Sequence, residues 1–411
     1  MLAELFRNTR GSRASHKLAR VGLTALLALT AFASIRLLEP PSAAADNQDV
    51  LGALEQLGAD LFADVDLSRN RKQSCATCHD PDFAFADPRI SKAGRAVSTG
   101  DDGQSLGDRN TPTLMYAHFT PPLTRRDNGT VAGGFFWDGR ADTLEEQAKG
   151  PLLNPVEMGM PDAASVAERV AEKDDYVARF RALFGPDVLT HPERTLDAVA
   201  QALAAYQRTR EFSPFDSKYD RWMRGEATLT PQEDFGRIVF VTWNCNLCHK
   251  PMHRGDPNKE LFTSFEYHNI GLPKNTRVRA LNGKGEHYID VGLRDNGRMP
   301  DEAHTGKFKV PTLRNIAVTA PYMHNGVFET LRTAIQFYNK YTSRRPDLQH
   351  NPETGVAWED PETTSNMSHF ELRTGLSLDD NRIAALEAFL RTLTDKRYEH
   401  LLAAPVQEDA R

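Results

Sequence analysis

An all-α fold is predicted by three features of this sequence. Apolar residues recur at helical spacing in several separate segments, and strand-like alternation is scarce. Two Cys-x-x-Cys-His turns stand 170 residues apart, each set in long loops rich in Gly, Pro, Asn and Asp. Loops of that length inside a compact chain are usually functional.

The first 45 residues read as a signal peptide rather than as part of the fold. Arg7, Arg10, Arg13, Lys17 and Arg20 precede an apolar run from Val21 to Ala33, and Pro40 to Ala45 ends in small residues that suit cleavage before Asp46. Thirteen apolar residues are too few to span a bilayer. Arg36, between the run and the cleavage site, also leaves room for a retained anchor. The segment carries six basic and two acidic side chains, so the remaining chain holds a net charge of −10. With no basic block in it, nucleic acid is excluded as a partner. After cleavage nothing is expected in a membrane, and the location expected is the periplasm.

Along the rest of the chain, Leu51, Leu54, Leu57 and Leu61 predict a helix just ahead of the first motif. Thr195 to Arg210 predicts another, with Leu196, Val199, Leu203 and Tyr206 on one face. The Ser213-Pro214-Phe215-Asp216 break then divides residues 46–213 from 214–411. Leu331, Ala334, Ile335 and Tyr338 mark a helix in the second part. Ile383, Leu386, Phe389, Leu390 and Leu393 mark the last one, with Ser377 as its N-cap.

The only four cysteines lie in the two turns: Cys75-Ala76-Thr77-Cys78-His79 and Cys245-Asn246-Leu247-Cys248-His249. Disulfides or a zinc site could use such pairs. Neither explains a His after both. CxxCH is the attachment sequence of c-type haem: two thiols bind the vinyl groups and the His ligates iron. The expected fold is therefore two cytochrome c-like haem domains with long loops, carrying two covalent haems.

The chain also resembles the bacterial di-haem cytochrome c peroxidase and MauG superfamily across residues 50–395. The resemblance rests on Leu67-Ser68, Arg109-Asn110-Thr111-Pro112-Thr113-Leu114 and Trp137-Asp138-Gly139-Arg140, then Gln147 through Glu157-Met158-Gly159-Met160. It continues through Val310-Pro311-Thr312-Leu313-Arg314-Asn315 and Thr319-Ala320-Pro321-Tyr322-Met323-His324-Asn325-Gly326. Within the superfamily it leans to the MauG branch, which completes tryptophan tryptophylquinone in a precursor of methylamine dehydrogenase.

The resemblance implies the following roles. In the peroxidases the loop before the Arg-Asn-x-Pro segment carries a His that closes the first haem. Here Asp80 to Asn110 contains none, so His79 would be the only protein ligand of an open iron. Glu157 would be the distal acid/base and Gln147 a supporting hydrogen-bond partner, on either side of a stretch stiffened by Pro151 and Pro155. Read from spacing alone, both are solvated loop residues. Trp137 and Pro151 would wall the haem site. His249 would bind the second iron, with Tyr338 where the peroxidases have a Met; Met323 is the fallback, and periodicity alone makes Tyr338 a core residue. A phenolate is a hard anionic ligand, whereas a Met thioether raises the haem potential. Trp243 would relay electrons or simply pack on the porphyrin. Calcium would take the Asn110 side-chain oxygen and the carbonyls of Thr319 and Pro321, although Asn110 could equally cap a turn. His118, His253, His268, His287 and His304 have no ligand-spaced partner and read as ordinary polar residues.

The leading function is oxidation, with hydrogen peroxide or O2 plus electrons, of a methylamine dehydrogenase precursor. A peroxidase that reduces hydrogen peroxide with electrons from a small redox protein is the alternative. A di-haem electron carrier is a third reading, disfavoured by the open first haem. The mature protein should weigh two haems more than its polypeptide by intact mass spectrometry; one adduct, or zinc in place of haem, would overturn the reading.

Overall fold

The structure is a computed structural model, and it describes residues 52–251 and 256–403. The expected signal peptide and His253 lie outside the described residues. The described residues all belong to one compact unit, Asp49–Arg411.

The first helix, α1 (Ala53–Ala63), leads into the short helix α2 (Cys75–Cys78) that carries the first motif. A long loop follows, containing the strands β1 (Thr124–Arg125) and β2 (Val131–Ala132). Then come α3 (Leu144–Leu153), α4 (Ala163–Ala171), α5 (Asp174–Phe184) and α6 (Pro192–Gln207). The second stretch repeats this order. After α7 (Lys218–Met223), α8 (Pro231–Thr242) leads into α9 (Cys245–Cys248), which carries the second motif. The strands β3 (Tyr267–His268) and β4 (Phe308–Lys309) pair on either side of α10 (Thr276–Leu281). The chain closes with α11 (Leu331–Phe337), α12 (Asn339–Thr342), α13 (His369–Arg373) and α14 (Asp380–Arg391).

Two helix crossings hold the motifs, and glycine makes both possible. A Cβ on Gly58 of α1 would run into the Ala202 carbonyl of α6 and stand 2.9 Å from Tyr206 Cβ. A Cβ on Gly236 of α8 would likewise strike the Ala385 carbonyl of α14 and stand 2.8 Å from Phe389 Cβ. Each crossing roofs an apolar core. Leu57, Leu61, Phe62, Phe85, Leu203 and Phe212 make the first, against which Cys75 packs. Val239, Phe240, Phe262, Leu386, Phe389 and Leu393 make the second, with Cys245 and Trp243 at its edge.

Several sequence expectations shift. The helix expected from Thr195 begins at Pro192, whose missing N–H costs nothing at the first helical position. The last helix is capped by Asp379, which accepts from the Arg382 N–H, rather than by Ser377. The Ser213–Asp216 break is no open linker: Phe215 is buried, its ring 4.8 Å from that of Tyr116. Gly150 to Leu153, expected as loop, is the last turn of α3 with Pro151 inside it.

Buried charge ties the two cores. Arg314, fully buried, donates to Asp220 (2.6 Å) and lies over the rings of Tyr116 and Phe215. Tyr116 donates to Asp395 (2.6 Å), whose carboxyl burial pushes up to about 7, and Asn315 donates to the same carboxylate.

Gly236→Ala should destabilise the haem-loaded protein. Overpacking at a tight contact costs about 1–3 kcal/mol, and alanine's helix preference returns only about 1 kcal/mol of it. Denaturant unfolding followed by far-ultraviolet circular dichroism would show the midpoint fall; an unchanged or raised midpoint would mean the crossing yields freely.

Candidate active site

Both Cys-x-x-Cys-His turns are single helical turns with the His as C-cap. His79 Nδ1–H donates to the Phe85 carbonyl (2.9 Å), and His249 Nδ1–H donates to the Phe262 carbonyl (3.2 Å). Each bond leaves Nε2 as the free ring nitrogen. Phe85 and Phe262 are both left-handed, with φ of 53° and 52°. Thr113 donates to the carbonyl just before Phe85, that of Ala84 (2.5 Å), and Thr312 does the same at Leu261 (2.7 Å), just before Phe262. Burial lowers both imidazoles, His249 to about 4, so they stay neutral as metal binding requires. Burial also pushes the Cys75 and Cys245 thiols up to about 12.

A cavity of about 450 Å³ opens beside the first motif, lined by Cys75, Cys78, His79, Trp137, Gln147, Pro151 and Glu157. These sequence-selected residues thus come together. Pro151 has no N–H to offer the Gln147 carbonyl four residues back. Asn154 then turns the chain: its carbonyl accepts from the Glu157 N–H (3.0 Å), and its Nδ2 donates to Glu157 Oε1 (2.6 Å). Burial raises the Glu157 carboxyl, against the pull of the Asn154 bond and the Arg140 charge. Trp137 Nε1 donates to the Asn110 carbonyl (2.9 Å), fixing the indole plane.

Lys309 also lines this cavity, though it comes from β4. Its ammonium donates to the Gly134 carbonyl and makes no ion pair with a described residue. Burial pulls its pKa down to about 7. An apolar slot with two thiols, a neutral imidazole and one uncompensated cation fits a c-type haem, whose propionates carry the missing negative charge.

At the second motif, burial and the neighbouring Cys248 and Cys245 sulfurs hold the Tyr338 hydroxyl proton tightly. Tyr338 is the C-cap of α11. Met323 instead packs at the edge of the Phe328, Phe337 and Trp358 cluster. Trp243 ends α8 with a buried Nε1 lacking a hydrogen-bond partner and an Arg382 guanidinium 4.9 Å from its ring; it does not line the first cavity. Asn110 is tied to the segment that holds Thr319 and Pro321 through its N–H to the His324 carbonyl (2.8 Å). Its Nδ2 is engaged by the Ala96 carbonyl (3.1 Å), leaving Oδ1 as the atom that could ligate. Among the described residues no three His, Cys, Asp or Glu side chains converge, so a hard cation here would rely on amide and carbonyl oxygens.

Phe85, Phe262, Thr113, Thr312 and Lys309 escaped sequence reasoning as site residues. The repeated Pro-Thr-Leu at 112–114 and 311–313 was the available signal for the threonines. Nothing local marks Lys309.

A sequence model described as di-haem cytochrome c peroxidase matches residues 52–228. The methylamine utilization protein MauG of Paracoccus denitrificans is 59% identical over 378 residues, covering 92% of this chain and 98% of that protein. The cytochrome c551 peroxidase of Nitrosomonas europaea is 32% identical, covering 69% and 72%. Among solved structures, the diheme peroxidase BthA of Burkholderia thailandensis superposes with a TM-score of 0.75 at 34% identity, over 85% of this chain and 87% of that one.

Glu157→Gln should preserve the fold and both haems while slowing reaction with peroxide by about 10²–10⁴-fold. In the unsubstituted protein that rate should fall as pH drops through a value above the ordinary carboxylate range, because only the ionised group accepts the peroxide proton and burial has raised its pKa. Stopped-flow absorbance across pH checks both; a change below threefold, or an unaltered pH profile in the variant, removes Glu157 from the reaction.

Proposed function

The chain belongs to the di-haem cytochrome c peroxidase and MauG family of oxidoreductases, and from that premise we propose that it completes tryptophan tryptophylquinone in a precursor of methylamine dehydrogenase. The observation that carries the reading is Tyr338, whose phenol ends α11 in a buried setting that feels the Cys248 and Cys245 sulfurs, which supports it as the second ligand of that haem. The name of the Paracoccus denitrificans relative, a methylamine utilization protein, supports the same direction.

Two covalent c-type haems would supply iron able to take two oxidising equivalents from hydrogen peroxide, or from O2 plus electrons. The chain's own residues do the rest. His79 Nε2 would face the first iron, fixed by its Nδ1 bond to Phe85. Glu157 would accept a proton from one peroxide oxygen and return it to the other, oriented by Asn154 and assisted by Gln147. Pro151 and Trp137 would wall this face, and Lys309 would hold a propionate. His249 and Tyr338 would both hold the second iron. A protein substrate cannot enter a 450 Å³ cavity, so its oxidation would proceed by electron transfer, with Trp243 as the relay nearest α8. Calcium on Asn110, Thr319 and Pro321 would brace the joint between the two haem domains, 46–213 and 214–411. Export through residues 1–45 would bring the chain to the periplasm, where a small redox protein could donate electrons.

The Nitrosomonas europaea relative favours the second reading, a peroxidase that reduces hydrogen peroxide to water. Mixing the holoprotein with peroxide and a methylamine dehydrogenase precursor separates the two. Quinone absorbance should grow in the precursor, and Tyr338→His should abolish it while both haems stay bound. If the variant still matures the precursor, Tyr338 is only a core residue. If the unsubstituted protein matures nothing yet consumes peroxide with a reduced redox protein, it is a peroxidase.

A further inference from the structure

The cavity beside the first motif lies next to a shallow outer cleft, and Phe136 and Arg140 are the two residues that line both. The cleft is otherwise edged by Ala141, Asp142, Glu146, Gly150 and Arg298. Phe136 adopts a left-handed backbone with φ of 63°, which a non-glycine residue adopts at a cost. That conformation sets its ring over the last turn of α3. There a Cβ on Gly150 would stand 3.1 Å from Phe136 Cζ, so glycine leaves the ring its place. The Arg140 guanidinium lies over the same ring, with Cζ 3.5 Å from its centroid.

Arg140 is itself exposed but held at its guanidinium. Its Nη1 donates to both oxygens of buried Asp138 (3.0 and 3.1 Å), and Asp138 is in turn fixed by Arg109 (2.6 Å). The Arg140 charge also bears on the Glu157 carboxyl inside the cavity. The partition therefore stands on the wall shared by Glu157 and Gln147. What joins the two side chains is one cation–π contact, which is weak at exposed positions, while bonds to Asp138, its other partner, hold the Arg140 guanidinium. Exposed side chains such as Arg140 change rotamer within nanoseconds.

We propose that Phe136 and Arg140 form the gate through which a small neutral oxidant such as peroxide reaches the open face of the first haem. The proposal rests on the reading that the first haem is the open one. It adds an entrance to that reading, so the wall between cavity and cleft, as well as the groups inside, sets the rate of oxidant capture.

Carbon monoxide is a probe of the right size, and its binding to the reduced holoprotein reads the gate without turnover. A gate changes association and dissociation by one common factor, because it alters the barrier and neither end state. Phe136→Ala should raise both constants together, on the order of tenfold, with the dissociation equilibrium constant unchanged. Gly150→Ala keeps α3, since alanine favours a helix, but crowds the ring; it too should move both rates by one factor. If Phe136→Ala fails to take up haem, Gly150→Ala and Phe136→Leu carry the test. Carbon monoxide that binds with unaltered rates in these variants would overturn the gate and leave the open haem standing. A change confined to dissociation would make Phe136 a contact of the bound ligand, which also overturns it. If the unsubstituted protein binds no carbon monoxide, the open-haem reading itself fails, and the gate with it.

Discussion

Everything functional in this chain depends on two hydrogen bonds from histidine to backbone. His79 and His249 each give Nδ1–H to the carbonyl of a left-handed phenylalanine, which fixes the ring tautomer and aims Nε2 into the space beside the cysteines. The phenylalanine can stay in that uncommon conformation because a threonine hydroxyl secures the carbonyl before it and an apolar core seals its side chain. The core forms because α1 can press on α6, and α8 on α14, at glycines. Removing any link frees the imidazole to turn. The same set of contacts occurs twice, which makes the two motif regions structural counterparts though their sequences share little beyond Cys-x-x-Cys-His and Pro-Thr-Leu.

The counterparts then diverge on the side facing each histidine. Beside the first, α3 is interrupted by Pro151, and the chain folds back through Asn154 to bring a raised carboxyl into an otherwise apolar cavity. In the second region, α11 ends with Tyr338, whose hydroxyl proton is held by burial and by the influence of the cysteine sulfurs. A carboxyl that can move a proton suits an iron position that must receive a small ligand. A phenol suits a position meant to stay filled. The division of labour between the haems in the proposed function follows from this local difference rather than from any difference in how the histidines are held.

Charge buried between the two cores makes them one body. Arg314 has its guanidinium satisfied by Asp220 and flanked by aromatic faces, and the Tyr116, Asn315 and Asp395 bonds continue the same layer. Breaking a buried pair by removing one partner strands a desolvated charge, so such a layer tolerates little change. Arg109 does similar work nearer the first cavity, donating to both Asp290 and Asp138. Its hold on Asp138 reaches Arg140 at the cavity wall. Lys309 crosses in the opposite direction, from β4 into the cavity of the first motif. The first haem site is thus built from both ends of the chain.

The sequence by itself determined the helical class, the two cysteine-histidine turns and most helix positions, because these depend on residues within a turn or two of each other. Periodicity located α1, α6, α11 and α14 to within a few residues. It erred at ends, where Pro192 and Asp379 rather than Thr195 and Ser377 begin the helices. Motif resemblance selected Glu157, Gln147, Trp137 and Pro151, and they do share one cavity. Only the tertiary structure decided what depends on long-range approach. Gly150 to Leu153 is helical because Leu152 and Leu153 pack into the first apolar core despite Pro151, a cost that local preference would refuse. Phe85 and Phe262 matter through their carbonyls, and no side-chain pattern announces a carbonyl. Lys309 lies some 230 residues beyond Cys75 yet ends in the same cavity, and Phe136 with Arg140 becomes a wall only once α3 stands beside them. Side-chain identity is a local property and was legible; the meeting of distant groups in one low-dielectric space is a property of the folded chain.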